Sequence, residues 1–274
     1  MMMRSKLFVP CARPALFGKA LAGAADALSF DLEDSVPDAG KAAARDALVD
    51  FLASDAAHAT AKTLIVRINA LGTDHFTADV AALANAPIAL INLPKVEDTS
   101  TVTAAVAAGI GSKMLVNIET ATGLRNAHAI AGHPQVAGLQ VGLNDLFAAL
   151  DVDRTDAGAV HAVLWDVRLA SGAAGCFAFD GAWPDLADPD GFRAEALMAR
   201  RLGYLGKSCI HPAQVPIANE IFDTGAALAT ARRIVDAAAA AAADGRGAFV
   251  IDGKMIDQPA IAQARAIIAA AERA

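Results

Sequence analysis

The sequence predicts an α/β fold, a (β/α)8 TIM barrel followed by a C-terminal helical extension. Eight short apolar, β-rich runs recur along the chain, and Ala/Leu-rich segments with spaced charges separate them. The runs are mostly apolar and not alternating, as is typical of parallel strands buried on both faces. Alternation of β and α through eight units favours a closed barrel. A doubly wound open sheet is the alternative, but no GxGxxG motif follows the first run.

The elements follow one another in a regular order. The predicted strands cover residues 7–9, 27–32, 64–68, 89–93, 115–118, 139–141, 176–179 and 208–210, and predicted amphipathic helices between them include residues 15–25, 39–52, 78–83 and 191–202. Because the eighth strand ends at residue 210, we expect the barrel domain to occupy residues 1–222. Residues 223–274 are then an arm or lid with helices at 226–243 and 259–273 and a hairpin-like segment between them.

Bulk composition limits the classes of protein to which the chain can belong. Of its 274 residues 55% are hydrophobic, which is ample for one large core, and the net charge is -7. The lack of a Lys/Arg run argues against nucleic acid as the main partner. The N-terminus does not resemble a signal peptide and no stretch resembles a membrane span, so a cytoplasmic protein without a membrane partner is predicted. The three cysteines show no CxxC spacing, so neither a disulfide framework nor a zinc cluster is indicated.

Charged residues are concentrated where the predicted strands end. Catalytic groups of a TIM barrel come from the carboxyl ends of its strands and from the loops that follow. The N-terminal ends of the same strands carry far fewer such groups, and this asymmetry predicts an active site at one mouth of the barrel. The residues at the carboxyl ends are Asp31, Glu33, Asp34, Arg67, Lys95, Glu119 and Asp145.

Two of these acids are candidate metal ligands. Glu119 and Asp145 follow adjacent strands, about one βα unit apart, so both carboxylates can face the same mouth. Mg²⁺ takes few protein oxygens and keeps waters and substrate oxygens, so a pair of carboxylates suits it. The remaining charged residues have predicted roles around that ion. Asp31, Glu33 and Asp34 would hydrogen-bond its waters, while Arg67 and Lys95 would balance an anionic substrate or a developing enolate.

Less specific interpretations exist for each of these residues. A single acid after a strand is often only the cap of the next helix. Lys95 could instead form a Schiff base, as in lysine-type aldolases. The number of acids at one end, together with two basic residues, favours a metal-dependent site over both alternatives.

The same residues lie in motifs that resemble the HpcH/HpaI aldolase/citrate lyase superfamily. The resemblance is greatest to its citrate lyase β-subunit-like branch, which includes the malyl-CoA and citramalyl-CoA lyases. It extends from Arg4 to the C-terminal helix. The motifs are "RSKLFVP", "DLEDSV", "VRIN", "LPKVE", "IETATGL", "GLNDL", "GKSCIHPAQ" and "GKMIDQP".

This resemblance implies a trimeric, Mg²⁺-binding TIM barrel that cleaves or forms a carbon–carbon bond beside a CoA thioester. It implies roles for individual residues as well. Glu119 and Asp145 would bind the metal, Arg67 would steady the thioester enolate, and Asp257 would serve as an acid/base in a neighbouring subunit's site. Arg13 and Lys19 would meet the CoA phosphates, and Leu143 and Asn144 are expected to bind substrate with Arg67 and Lys95.

The chain departs from the family pattern at two places. Cys11 stands where a glycine is usual after "FVP", and Ala149 and Asp151 replace an acid and a glycine after Asp145. The second departure leaves the metal ligand intact but changes a loop on the substrate side.

The leading functional hypothesis is a Mg²⁺-dependent lyase that converts a short 3-hydroxyacyl-CoA into an acyl-CoA and a 2-oxo acid. A citrate lyase β chain, which would need an acyl-carrier partner, is one alternative. A thioester hydrolase on the same scaffold is another. A non-catalytic trimeric subunit is a third, but a decayed homologue should have lost some of Arg67, Glu119, Asp145 or Asp257, and all four are present.

Overall fold

The computed structural model describes residues 3–243 and 247–272 and contains a barrel of eight parallel strands. Each strand pairs with its neighbours in sequence, in the order β7-β6-β5-β4-β3-β2-β1-β8. A parallel bridge between Asp180 and Lys207 joins the last two strands and closes the ring. The strands are β1 (Ser5–Pro10), β2 (Ala27–Asp31), β3 (Thr63–Arg67), β4 (Leu90–Leu93), β5 (Lys113–Ile118), β6 (Val136–Val141), β7 (Phe177–Phe179) and β8 (Lys207–Cys209).

The TIM-barrel prediction is confirmed, and the open-sheet alternative is wrong. Each predicted strand overlaps one observed strand, although β1, β5 and β6 begin earlier than predicted because polar or small residues precede their apolar cores. An open doubly wound sheet would place β1 in its interior and reverse the strand order there. Here β1 instead pairs with β2 on one side and with β8 on the other.

Helices follow the strands and cover the outside of the sheet. Apolar side chains that point outward from the strands, such as Leu7, Val9 and Phe30, pack in the main core with helical residues such as Leu48 and Phe192. None of the helices in the described parts of the chain is long and apolar enough to cross a bilayer. Those that accompany the barrel are α1 (Phe17–Ala22), α2 (Lys41–Leu52), α3 (Asp55–Ala59), α4 (Asp74–Leu83), α5 (Thr99–Ala107), α6 (Ala121–Arg125), α7 (Ala127–Ala131), α8 (Leu143–Leu150), α9 (Ala157–Ala174), α10 (Pro189–Arg201) and α11 (Val215–Ile221).

The inside of the barrel is layered, and its layers place the site. Near the N-terminal ends of the strands a small apolar cluster fills the interior. Two residues further along most strands, the next inward side chain is polar and buried. The charged residues of the mouth lie beyond this polar layer. The apolar cluster therefore seals one end, while the carboxyl ends of the strands face an open cavity. The members of the cluster are Met3, Ala27, Ile65, Leu90, Leu115 and Phe179.

The chain from Asp223 onwards belongs to a compact unit separate from Met3–Phe222. It contains α12 (Gly225–Ala243), a two-stranded antiparallel hairpin of β9 (Phe249–Ile251) and β10 (Lys254–Ile256), and α13 (Gln258–Glu272). A small core of its own includes Ala238, Ile256 and Ile261. Residue 273, which the sequence places at the end of the last helix, lies outside the described residues.

Candidate active site at the mouth of the barrel

A cavity of about 430 Å³ opens at the carboxyl ends of the strands. Most of the residues that the sequence assigns to the mouth line this cavity, together with others that sequence reasoning missed. The predicted residues are Asp31, Asp34, Arg67, Glu119, Leu143, Asn144 and Asp145, and the additional ones include Phe8, Asn117 and Gln140.

Glu119, directly after β5, is held by an unusual backbone conformation on the neighbouring loop. Lys95 has a φ of 53°, in the left-handed region that residues with a side chain rarely adopt, and its N–H donates to Glu119 Oε1 at 2.7 Å. The amide of Asn117 donates to the other oxygen at 3.3 Å. Burial raises the pKa of Glu119, and the negative charge of Asp145 raises it further against the Lys95 hydrogen bond.

Asp145 lies in the first turn of α8, where the helix dipole favours a carboxylate. Gly142, the residue before the helix, approaches Glu119 closely. A Cβ at Gly142 would lie 2.4 Å from Cβ of Glu119 and 2.7 Å from its Oε2. A glycine is therefore required where β6 passes into α8.

These two carboxylates fit a divalent cation with open positions. They face one cavity, and the Asp145 carboxylate has neither a hydrogen bond nor an ion pair with any described residue. The negative charge of Asp145 disfavours the ionised form of Glu119, as a nearby like charge does. Residues 3–243 and 247–272 hold no cluster of three or more His, Cys, Asp and Glu side chains suited to a metal. A cation here would thus have two protein ligands and complete its shell with water and substrate, as Mg²⁺ does.

Arg67, at the end of β3, is oriented by a two-point ion pair with Asp31. Its Nε and Nη2 donate to the two carboxylate oxygens at 2.7 and 2.8 Å. Burial disfavours the charge of Asp31, but these bonds outweigh it and lower the pKa of the carboxyl. Asp31 also accepts from the backbone N–H groups of Glu33 and Ser35. The carboxylate is thus filled by protein donors, and its role toward metal-bound water stays a prediction.

Glu33 is the least satisfied acid of the cluster. Nη1 of Arg67 lies 3.0 Å from Oε2 and Nζ of Lys95 lies 3.2 Å from Oε1. Neither contact is aligned as a hydrogen bond, so both buried oxygens lack a hydrogen-bonded partner in the described structure. Burial raises the pKa of Glu33 to about 7, and the negative charges of Asp34 and Glu119 contribute to the rise. Both oxygens thus keep hydrogen-bonding capacity that no described residue fills.

Lys95 lines a second cavity, of about 410 Å³, next to the first. Glu33 lines it too, and Asp34 borders both cavities. The negative charge of Glu33 raises the pKa of Lys95. A lysine held in its ammonium form is a poor nucleophile, so the geometry disfavours a Schiff base and agrees with a role in charge balance.

The cavity floor contains a network that sequence reasoning missed. Asn92 donates to Asn117 Oδ1 at 2.7 Å, and Asn117 in turn donates to Glu119. Lys6 is fully buried and donates to the amide oxygen of Gln140. The signal in the sequence is a single polar residue inside each apolar run, as in "LINL", "LVNI" and "LQV". In β5 this residue lies two positions before the strand-end acid and so on the same face.

A buried ion cluster supports the loop that carries Asn144. Lys207 donates to Asp180 at 2.8 Å and to Glu195 at 2.7 Å, and all three side chains are buried. Arg154 forms a two-point pair with the same Glu195 and donates to Asn144 Oδ1 at 2.7 Å. The residue before Asp145 is thereby tied to β7, β8 and α10.

Three of the predicted site residues line neither of the two cavities. Arg13 and Lys19 are exposed, on the segment that follows β1. Asp257 is exposed and belongs to the C-terminal unit, where its carboxylate caps α13 by accepting from the N–H of Ala260 at 3.3 Å. The CoA and acid/base roles of these residues stay predictions.

Comparison with known proteins agrees with this geometry. The sequence profile of the HpcH/HpaI aldolase/citrate lyase family matches residues 4–212. The chain belongs to this family. The resemblance predicted from its motifs is therefore confirmed, and the matched region covers all eight strands of the barrel.

Relatives in the HpcH/HpaI family match nearly the full chain. A (3S)-malyl-CoA thioesterase of Cereibacter sphaeroides is 38% identical, with 98% of this chain and 94% of the relative covered. An L-malyl-CoA/beta-methylmalyl-CoA lyase of Rhodobacter capsulatus is 36% identical over 99% and 95%. The crystal structure of CitE from Mycobacterium tuberculosis in complex with magnesium, acetoacetate and coenzyme A superposes with a TM-score of 0.79 at 33% identity. It covers 98% of this chain and 97% of that one.

Proposed function

We propose that this protein is a Mg²⁺-dependent carbon–carbon lyase that converts a short 3-hydroxyacyl-CoA into an acyl-CoA and a 2-oxo acid. The observation that carries the proposal is the pair of carboxylates, Glu119 and Asp145, facing one cavity with the oriented guanidinium of Arg67. Family membership and the malyl-CoA lyase relative support the reaction, and the magnesium- and CoA-bound CitE structure supports the cofactor and the thioester.

Glu119 and Asp145 would hold the metal, and Asp34 and Glu33 would accept hydrogen bonds from its waters. Mg²⁺ at this position supplies Lewis-acid polarisation of the carboxylate and carbonyl oxygens of the 2-oxo acid. The backbone N–H of Lys95 and the amide of Asn117 fix the Glu119 carboxylate at the cavity wall. These contacts pre-organise the ligand before the cation arrives.

Arg67 would stabilise the negative charge that develops on the thioester oxygen. When the bond between C2 and C3 breaks, its electron pair moves to the thioester and forms an enolate. The two hydrogen bonds to Asp31 fix the plane of the guanidinium. Because a guanidinium has five N–H bonds, donors remain for an enolate oxygen. Leu143 and Asn144, at the start of α8, would contact the oxo-acid half.

Asp257 would return a proton to C2 of the enolate and so match the proton that the 3-hydroxyl loses. Its place in the C-terminal unit supports a contribution to a neighbouring subunit's site within a homotrimer. Arg13 and Lys19, exposed after β1, would bind the CoA phosphates. We place the enzyme in the cytoplasm and expect an acyl-carrier partner only if the substrate is carried on a protein thioester.

The thioesterase relative makes hydrolysis the competing outcome, because water can attack the same thioester. The two outcomes differ in their products. A lyase releases acyl-CoA and a 2-oxo acid, whereas a hydrolase releases free CoA and a hydroxy acid. Incubation of the purified protein with malyl-CoA and citramalyl-CoA, with Mg²⁺ and with a chelator, should yield 2-oxo acid only in the presence of the metal. Free CoA without oxo acid would contradict the lyase assignment.

Metal binding by the carboxylate pair can be tested without turnover. Glu119→Gln preserves shape but removes one charge, so we expect calorimetry to show Mg²⁺ affinity lowered at least tenfold. Glu97→Gln, at a position outside the cavity lining, is the matched control. Unchanged Mg²⁺ affinity in a folded Glu119→Gln protein would contradict this assignment.

A further inference from the structure

Two buried asparagines lie inside the barrel, between the small apolar cluster at its closed end and the metal-ligand candidate on β5. Asn92 is two residues beyond Leu90 of that cluster, and Asn117 is two residues beyond Leu115. Because side chains two apart on a strand share a face, both asparagines point into the barrel. They are 0% and 2% exposed. Glu119 follows two residues after Asn117, so Asn117 lies between the apolar cluster and this acid.

A main-chain carbonyl fixes the direction of the hydrogen bonds between these side chains. The NH₂ group of Asn92 donates to the carbonyl oxygen of Leu115 at 2.9 Å, and a carbonyl oxygen can only accept. The same NH₂ group donates to Oδ1 of Asn117 at 2.7 Å. Asn117 must then present its own NH₂ group to Glu119, where it donates to Oε2 at 3.3 Å. The orientation of each amide thus follows from the donor before it.

The last hydrogen bond of this chain is one of two that hold the Glu119 carboxylate. The backbone N–H of Lys95 donates to Oε1 at 2.7 Å, and Asn117 donates to Oε2. With the Lys95 bond alone the carboxylate could turn about its last side-chain bond, whereas a donor on each oxygen fixes its plane. A reversed Asn117 amide would place a carbonyl oxygen against the carboxylate and repel it. Asn92 prevents that reversal, because it offers Asn117 a donor and no acceptor.

Asn92 destabilises the barrel interior through its other amide atom. Its Oδ1 is buried and has no hydrogen-bond partner in the described structure, and an unpaired buried acceptor costs free energy. A leucine here would extend the apolar cluster that contains Leu90 and Leu115 and would bury no such group. Asn92 also lines neither of the two cavities. A polar residue that is unfavourable for packing and out of reach of a ligand points to a role exerted through its neighbour.

We infer that Asn92 is a positioning residue, which acts through Asn117 to fix the Glu119 carboxylate for a divalent cation. The inference rests on the proposed function and deepens it, because it adds to the metal site a residue that touches neither metal nor substrate. Loss of a side chain that directly contacts a metal ligand typically lowers metal affinity by about 10- to 100-fold. We expect a smaller effect from Asn92, which acts through one more side chain.

Calorimetry of Mg²⁺ binding to the full chain tests this inference. Asn92→Leu preserves the approximate size of the side chain but removes its donors, so we expect Mg²⁺ affinity to fall by about three- to tenfold. Asn117→Leu should lower it at least as much. Because both changes interrupt the same chain of hydrogen bonds, the double variant should bind Mg²⁺ no more weakly than Asn117→Leu alone. Losses that multiply in the double variant, or an unchanged affinity in Asn92→Leu, would overturn the inference.

Folding stability distinguishes positioning from packing. The double variant replaces the paired amides by apolar groups and removes the unpaired Oδ1, so urea denaturation without Mg²⁺ should show it to be at least as stable as the wild type. A double variant that is less stable and yet binds Mg²⁺ with wild-type affinity would show that the asparagines serve packing. Asn92→Ser, whose side chain is too short to reach both acceptors, is a second variant in case Asn92→Leu fails to fold.

The matched control is Asn219→Leu. Asn219 likewise makes two hydrogen bonds, accepting from Oγ of Ser5 at 2.6 Å and donating to the carbonyl oxygen of Ala24 at 2.9 Å, but it lines neither cavity. Its loss should change Mg²⁺ affinity by less than about twofold. A wild type that binds no Mg²⁺ would overturn the inference together with the cofactor assignment. Mg²⁺ binding that weakens in Asn92→Leu as expected, without cleavage of any CoA thioester by the wild type, would overturn only the proposed reaction.

Discussion

Gly142 and Glu119 approach each other so closely that the space between them admits no larger side chain at residue 142. Gly142→Ala would bring the new Cβ to 2.4 Å from Glu119 Cβ, and the glutamate would have to move. We expect at least a tenfold loss of Mg²⁺ affinity, because ligand position within about 0.5 Å matters for a metal site. Gly18→Ala, with no atom within 4 Å of the added Cβ, is the control. Equal Mg²⁺ affinities of the two variants in calorimetry would contradict this prediction.

Glu33 should make folding stability depend on pH. Burial raises its pKa to about 7, above the value of about 4.3 for an unfolded glutamate. The folded state then binds more protons than the unfolded state between these values, so this residue's contribution to stability is lost as pH rises from about 4 to about 7. Glu33→Gln should remove a loss on the order of 2–3 kcal/mol across that window.

Urea denaturation of the wild type and of Glu33→Gln at pH 4.5 and 7.5, with a chelator present, measures this difference. Glu97→Gln serves as the control, since no pH dependence of that size is expected from an exposed residue. A wild-type curve parallel to that of Glu33→Gln across the window would show that Glu33 ionises in the usual range.

At the scale of elements, β8 is joined to β7 and α10 by one lysine. Lys207 is fully buried and pairs with two acids, so Lys207→Met would leave Asp180 buried beside Glu195 without its cation. We expect the free energy of unfolding to fall by about 3–5 kcal/mol, the usual cost of breaking a buried pair from one side. Lys113→Met, on the exposed start of β5, should change it by less than about 1 kcal/mol. Equal losses in denaturant titrations would argue against the ion cluster as the link between these elements.

At the scale of the whole molecule, the proposed function assigns roles to residues of both compact units. Asp257→Asn keeps a good cap for α13 but removes the acid, so turnover should be lost while stability is retained. Mixing this variant with Glu119→Gln should restore activity if the arm of one subunit completes the barrel of another. In a trimer with random exchange, about a quarter of the sites regain both residues.

Subunit exchange must be shown independently, for example by mass spectrometry of isotopically labelled protein. If exchange occurs and activity stays absent, Asp257 acts within its own chain or not at all. A mixture with activity near a quarter of the wild type would instead support a shared site.

The sequence by itself determined the barrel and the position of its active mouth. Parallel strands buried on both faces appear as short apolar runs, and this local signal located all eight strands. Because every strand runs in the same direction, polar residues at the strand ends had to gather at one mouth. Glu119, Asp145 and Arg67 were therefore identified from position alone, and the structure brings them to one cavity.

Only the tertiary structure decided how those charges and amides are paired. Lys6 and Gln140 lie 134 residues apart in the sequence, and their contact depends on strand order and register. Packing of the strands and loops likewise sets the two-point ion pair between Arg67 and Asp31 and the approach of Gly142 to Glu119. It also sets the left-handed backbone conformation of Lys95. Periodicity in a sequence reports which face of an element is buried, whereas contacts between distant residues are set by how the elements pack. This is why the mouth could be predicted and its floor could not.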